Sequence, residues 1–491
     1  MRTLDVAVVL AYLAASAGIG LKAARRSRGM EGYFRAGRTI PWWAAGLSVI
    51  ATETSAATFI GVPGAAYAAT GNLTYLQLAL GALLARVVIG AVFLPAFYRA
   101  NAFTVYDFVD RRFGPRSRTA TAALFVVGRT LGDGVRLLIA AVAVRYAWPA
   151  IPLEAAILAM GAVTVLYTVL GGIRAVVWTD VMQGFVFALG AVAALAWAVD
   201  RTPGGLDGVL AYARERGKLR LFDLSTDGSA VFTLWTALFG ASFLGLASHG
   251  TDQDMAQRLL TCPDARTSRR GILFSAALLF PTVGIFLAIG IALAATYALA
   301  PPAYALPEKG DFVFPTFIGR ELPAGVAGLV IAAVLAAAMS TLSSALQSLT
   351  SATVVNLVRP FSRRVASLDD EAQVRFSKRV AVGFSLLVVG AALALVPVYQ
   401  GDPKATLLEL ALSVFGYTYG AMLGVFLLGF LTGRGEDRWN LHAIAFGIAA
   451  VVAVKHGTSL AWPWYYPIGT AATFLVGLIP RGPGGGTARG L

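Results

Sequence analysis

The sequence predicts an all-α, polytopic membrane protein of about thirteen transmembrane helices. Three observations lead there. Hydrophobic residues make up 57% of the 491 and charged residues only 13%. The mean hydropathy is +0.70. Apolar runs of about twenty residues, the length that crosses a bilayer as a helix, recur from end to end. A lipid-embedded chain must satisfy its backbone polar groups internally, and helices do so.

The same numbers exclude several functions. A net charge of +14 would suggest nucleic acid in a soluble chain. Here Lys and Arg lie mostly in short loops between spans, so membrane orientation explains them and no nucleic-acid partner is expected. One cysteine, Cys262, rules out a disulfide framework, and three histidines without ligand spacing argue against zinc. No GxxxxGK[ST] stretch supports an ATP-driven pump. No Ser-His-Asp constellation suggests an enzyme. An ion gradient is the expected energy source.

In order, the first span is 4–21. It lacks a strongly basic n-region and a cleavage site, so it reads as a retained helix. A basic loop with Lys22, Arg25, Arg35 and Arg38 follows. The second span, 41–69, carries a polar break, and the third covers 73–98. Spans at 119–147 and 152–170 lead to the turn Gly171-Gly172-Ile173-Arg174 and a span at 176–199. A polar loop, 200–227, precedes the seventh span at 230–248 and the loop beginning Gly250-Thr251-Asp252-Gln253-Asp254. Further spans fall at 272–299, 324–355, 379–399, 405–431, 441–454 and 463–479. One set of alternate loops holds most of the Lys and Arg, placing the N-terminus outside and the C-terminus in the cytoplasm of a multi-pass inner (plasma) membrane protein.

Ionisable residues inside spans are costly and mark candidate sites. The stretch Ala51-Thr52-Glu53-Thr54-Ser55-Ala56-Ala57-Thr58 runs on to Gly61-Val62-Pro63-Gly64. Pro63 removes a backbone donor, and the whole stretch predicts either a discontinuous helix with freed carbonyls or a Pro-kinked helix satisfied by its neighbours. Arg129, Asp133 and Arg136 share one helix face, as an internal ion-paired contact or a solute-facing surface. Asp180 is either a helix-terminus carboxylate or part of a cation site. Arg86, a lone intramembrane base, reads as structural or interfacial. In 325–355, Ala337, Ser340, Thr341, Ser344, Ser348 and Ser351 share a face. Such a hydroxyl stripe serves helix packing or supplies oxygens to a hard cation.

The chain resembles the sodium:solute symporter family. The resemblance rests on Tyr33 to Arg38 before Pro41-Trp42-Trp43, on Phe59-Ile60-Gly61 with Pro63-Gly64, and on Gly171 to Asp180. It rests also on Thr251-Asp252-Gln253 with Gln257-Arg258, and on Ala337 to Ser344. It implies an inverted five-helix-repeat, leucine-transporter-like core within a single domain, 1–480. Residues 4–21 are the extra helix, 41–199 and 229–431 the repeats, 441–479 the C-terminal helices and 481–491 a cytoplasmic tail.

That likeness further implies a main sodium site at Ala51, Thr54, Ala337, Ser340 and Thr341, and a second at Ser343, Ser344 and Asp180, hence one or two sodium ions. It places Glu53, Ser55, Thr58, Asp133, Gly245 and Ser248 at the solute, beside Arg129 and Arg136. The expected function is a secondary active symporter coupling inward sodium movement to uptake of a small polar solute by alternating access. Proton coupling on the same fold and a solute-sensing receptor are the alternatives. The oligomeric state is open, a monomer being one expectation.

Overall fold

The computed structural model describes residues 2–25, 27–401 and 407–479. The expected tail, 481–491, and the start of the span expected at 405 lie outside the described residues. Among the described residues there is no strand. The long helices, in chain order, are α1 (Thr3–Ala24), α2 (Trp42–Glu53), α3 (Ala56–Tyr67), α4 (Thr74–Arg99), α5 (Pro115–Ala147) and α6 (Leu153–Arg201). Then come α7 (236–251), α8 (Gln253–Leu259), α9 (Ala265–Leu299), α10 (Val326–Val358) and α11 (Asp370–Tyr399). The set closes with α12 (Leu407–Leu431), α13 (Trp439–Gly457) and α14 (Tyr465–Gly477).

By length and apolarity, 7 of the described helices can cross a membrane, or 8 when α2 and α3 count as one span bent by 62°. The expected thirteen is not reached by that measure, for identifiable reasons. α5 carries Arg116, Arg118, Arg129, Asp133, Arg136 and Arg145 along its length. α6 has 49 residues, more than twice what a bilayer needs, and bends at Gly172. Gly172 has φ 61° and ψ −161°, and a Cβ there would lie 2.5 Å from the Tyr33 carbonyl oxygen. Only glycine suits that backbone and that approach, as the Gly-Gly turn in the sequence predicts.

Two helices are interrupted at depth. Between α2 and α3, Thr54 (ψ 81°) and Ser55 (ψ 171°) leave the helical region. The break therefore falls well before Pro63, which lies inside α3. β-branched Thr54 is a weak helix former and Ser55 a good helix starter. The second interruption, between α7 and α8, is at Asp252 (ψ 123°). The sequence places 250–254 in a loop; the structure buries 247 and 249–259 instead.

α10 is the axis of packing. It lies against α6, α5 and α1, and 337–352 is buried throughout. α2 packs on α9 and α6. The hydroxyl stripe of α10 therefore points into protein, close to the α2–α3 break.

Candidate functional site

The break rearranges backbone bonding. Ser55 N–H donates to Glu53 O at 3.0 Å instead of to Ala51 O four residues back. The Ala51 carbonyl thus loses its helical donor. Thr54 N–H and Oγ1 both donate to Ile50 O, at 3.0 and 2.8 Å. The Phe59 N–H donates to Ser55 O at 3.0 Å, so the α3 ladder starts after the Thr54 carbonyl. Released carbonyls are hard oxygen donors without net charge.

α10 brings its own oxygens to the same place. Thr341 Oγ1 donates to Ala337 O at 3.0 Å, which sets that hydroxyl beside that carbonyl. Ser340 Oγ lies 3.0 Å from Thr52 Oγ1 on α2. A void of 10 Å³ is bounded by Ser55, Ala56, Ala338 and Thr341, with Asp133, Arg136, Leu137 and Leu342. That is room for about one water, and of the five expected sodium residues it touches Thr341 alone.

A charged cage lies one turn away. Ser340 Oγ donates to Asp180 Oδ1 at 2.6 Å and Ser48 Oγ to Asp180 Oδ2 at 2.5 Å. Ser343 Oγ and Ser344 Oγ donate to Ser340 O at 3.0 and 2.6 Å. The fully buried Arg258 of α8 reaches into this cage. Its Nε donates to Ser48 Oγ at 2.9 Å. Its Nη2 donates to Thr52 Oγ1 at 2.7 Å, to Asp180 Oδ2 at 3.4 Å and to Ser344 Oγ. Its Nη1 donates to the Asp254 carbonyl at 2.5 Å and to Asp254 Oδ1 at 3.0 Å. Asp180 is therefore a cage carboxylate, not a helix-terminus one.

Behind the cage runs a buried ion network. Arg129 pairs with Asp133 at 2.8 Å, with Asp252 at 3.3 Å and with Asp254. Tyr419 Oη donates to Asp252 Oδ2 at 2.5 Å. These residues tie α5 and α12 to the α7–α8 interruption.

Beside the break opens a cavity of 270 Å³. Glu53, Ser55, Thr58, Arg129, Arg136, Gly245 and Ser248, all expected at the solute, line it. Asp133 does not; it is 2% exposed and stands behind Arg136. Arg86 is not a lone base within its span: it pairs with Glu53 and also donates to Ser275 Oγ at 3.2 Å. His249 Nδ1 meets Ser248 Oγ at 2.8 Å. Tyr75, Phe232, Phe415, Trp462 and Tyr466 supply aromatic walls.

Sequence reading misses Ser48, Thr52, Arg258, Asp252, Asp254 and the aromatic wall as site residues. The i,i+4 spacing of Asp254 and Arg258 was the available signal, hidden by the loop placement of 250–254.

Comparison with known proteins fits this geometry. The sodium:solute symporter family pattern matches residues 33–447. The sodium/sialic acid symporter NanT of Aliivibrio fischeri is 30% identical over 97% of this chain and 92% of its own. The human sodium/iodide cotransporter is 28% identical over 94% of this chain and 70% of its own. Among solved structures, a substrate-bound, outward-open Na+-coupled sialic acid symporter superposes with TM-score 0.87 at 27% identity, over 97% of both chains. A nucleobase-cation-symport-1 family transporter shares the fold with TM-score 0.58 at 16% identity, over 92% of this chain and 94% of its own.

Proposed function

The chain belongs to the sodium:solute symporter family, and from that premise we propose that it moves sodium inward to drive uptake of a small polar solute by alternating access. It is a multi-pass membrane protein and not an enzyme. The observation that supports this reading is that the α2–α3 break deprives the Ala51 carbonyl of its helical donor, while the next residue, Thr52, lies 3.0 Å from Ser340 on α10, whose neighbour Thr341 sits beside the Ala337 carbonyl.

The residues that would hold the main sodium ion are Ala51, Thr54 and Ala337 through carbonyls, and Ser340 and Thr341 through hydroxyls. All are neutral oxygens, which suits a monovalent hard cation. Sodium held there bridges α2 and α10, so it favours the conformation in which the two are close. A membrane potential adds about 2.3 kcal/mol per charge per 100 mV to the driving force. A second sodium would use Ser343, Ser344 and Asp180. There it competes with the Arg258 guanidinium for the Asp180 and Ser344 oxygens.

We assign 41–199 and 229–431 as the inverted repeats, each opening with an interrupted helix. The distribution of basic loops supports an N-terminus outside and a C-terminus in the cytoplasm of the plasma membrane. One chain carries both halves of the sodium site, so a monomer suffices.

The test compares purified protein in sodium chloride and choline chloride at matched ionic strength. Sodium is expected to raise the Tm and, in proteoliposomes, to drive solute uptake down its gradient. Equal stability and equal flux in the two salts would refute sodium coupling.

A further inference from the structure

Building on the symporter reading above, we infer that the solute is a compact organic carboxylate whose carboxylate is held by Arg136 and Tyr466. Arg136 extends from α5 into the 270 Å³ cavity, with its side chain 24% exposed. Among the described residues its ion-pair partner is Asp133, at 3.5 Å, the outer limit of a hydrogen bond. That carboxylate is already engaged by Arg129 at 2.8 Å.

The cavity's other exposed charge is answered more closely. Glu53 contacts Arg86 and has His249 at 3.7 Å, both through Oε2. Arg129 also borders the cavity, but three aspartates surround it. The charge left to meet a solute is therefore that of Arg136.

A second donor points the same way. Tyr466 borders the same cavity, is 1% exposed, and its hydroxyl meets no hydrogen-bond partner among the described residues. Buried hydroxyls are normally paired, and an unpaired one in a binding cavity is a donor awaiting an acceptor. The Arg136 guanidinium lies 4.8 Å over the Phe415 ring, which orients its planar fork. Fork and phenol together suit a carboxylate, which accepts several hydrogen bonds.

The remaining wall is apolar. Tyr75, Phe232, Leu244 and Trp462 face a body that demands few hydrogen bonds. Glu53 Oε1, not used by Arg86 or His249, can accept from one hydroxyl or N–H on that body. Asp133 steers Arg136 and does not itself touch the solute.

Thermal stability of the full-length protein in sodium chloride tests this. The probes are lactate, nicotinate and 3-phenylpropionate, each beside its uncharged amide, with phenethylamine as a cation of matched size. At least one carboxylate should stabilise, binding about tenfold or more tightly than its amide. Arg136→Gln should abolish that effect and Tyr466→Phe should weaken it, while sodium alone still stabilises both variants. An amide or the amine performing as well as the carboxylates, or no carboxylate stabilising, overturns the assignment. Arg136-dependent carboxylate binding in a protein indifferent to sodium supports the anchor and defeats the coupling.

Discussion

Thr52 Oγ1 stands 3.0 Å from Ser340 Oγ, joining the interrupted helix α2 to the continuous helix α10. Both residues also reach Asp180, Ser340 at 2.6 Å and Thr52 at 3.3 Å. Three helices thus share one cluster of oxygens. Any ion held there senses their relative position, and its binding energy biases that position.

The first prediction concerns that cluster. Ser340→Ala with Thr341→Ala removes two of five proposed sodium oxygens and leaves the helix intact, since alanine is the better helix former. The sodium concentration for half-maximal uptake should rise about tenfold or more, equivalent to about 1.4 kcal/mol. A sodium titration of uptake in proteoliposomes checks it. Unchanged sodium dependence would place the ion elsewhere.

Arg258 gives the second. Its buried guanidinium balances Asp180 and Asp254, at 3.4 and 3.0 Å. Arg258→Met deprives Asp180 of its guanidinium and leaves Asp254 with Arg129 alone, and breaking such a buried pair costs about 3–5 kcal/mol. The same change removes the competitor for Asp180 and Ser344. The Tm deficit of the variant should therefore shrink as sodium replaces choline. A deficit that stays constant across sodium concentrations argues against a second ion at this place.

Much of this arrangement was legible in the sequence, because the bilayer permits few structures. Apolar runs announced the helices, the polar patch at 51–58 announced an interruption, and the small residues of 337–344 announced a buried stripe. What sequence could not assign was exposure. Arg129 and Arg136 share a helix face and a residue type, yet of the two only Arg136 presents charge to the cavity, because Asp252 at the α7–α8 interruption and Asp254 at the start of α8 cover Arg129. Likewise the break sits at Thr54–Ser55 and not at Pro63, whose missing donor is tolerated within α3. Tertiary neighbours decide both, and hydropathy does not report them.

Glu53 and Arg86 give the third. Arg86 is fully buried and Glu53 faces the cavity. Arg86→Met alone strands a carboxylate in a low-dielectric site and should cost several kcal/mol, about 3–5. Adding Glu53→Gln should restore most of that loss, which a double-mutant cycle in thermal stability will measure. If Glu53 instead carries a coupling proton, the double variant will fold but lose uptake driven by a pH gradient. Retained sodium-driven uptake with no response to pH would set that alternative aside.

The fourth concerns the C-terminal end of α3. The turn Gly310–Phe312 lies on Gly64, where an added Cβ would come within 2.7 Å of Asp311 Oδ1. Burial pushes the Asp311 carboxyl above its ordinary value, against the opposing pull of Lys309. The folded protein therefore holds this proton more tightly than the unfolded chain, whose aspartates titrate at about 3.9. The stability that Asp311 contributes is full below the unfolded value and is lost as pH rises through the folded one. Asp311→Asn imitates the protonated form at every pH. The variant should have the higher Tm at neutral pH, and its advantage should fade as the medium is acidified past the unfolded value. A Tm series from neutral to acidic buffer reads this directly. An advantage independent of pH would trace to packing against Gly64, because only ionisation makes the two side chains differ more at one pH than at another.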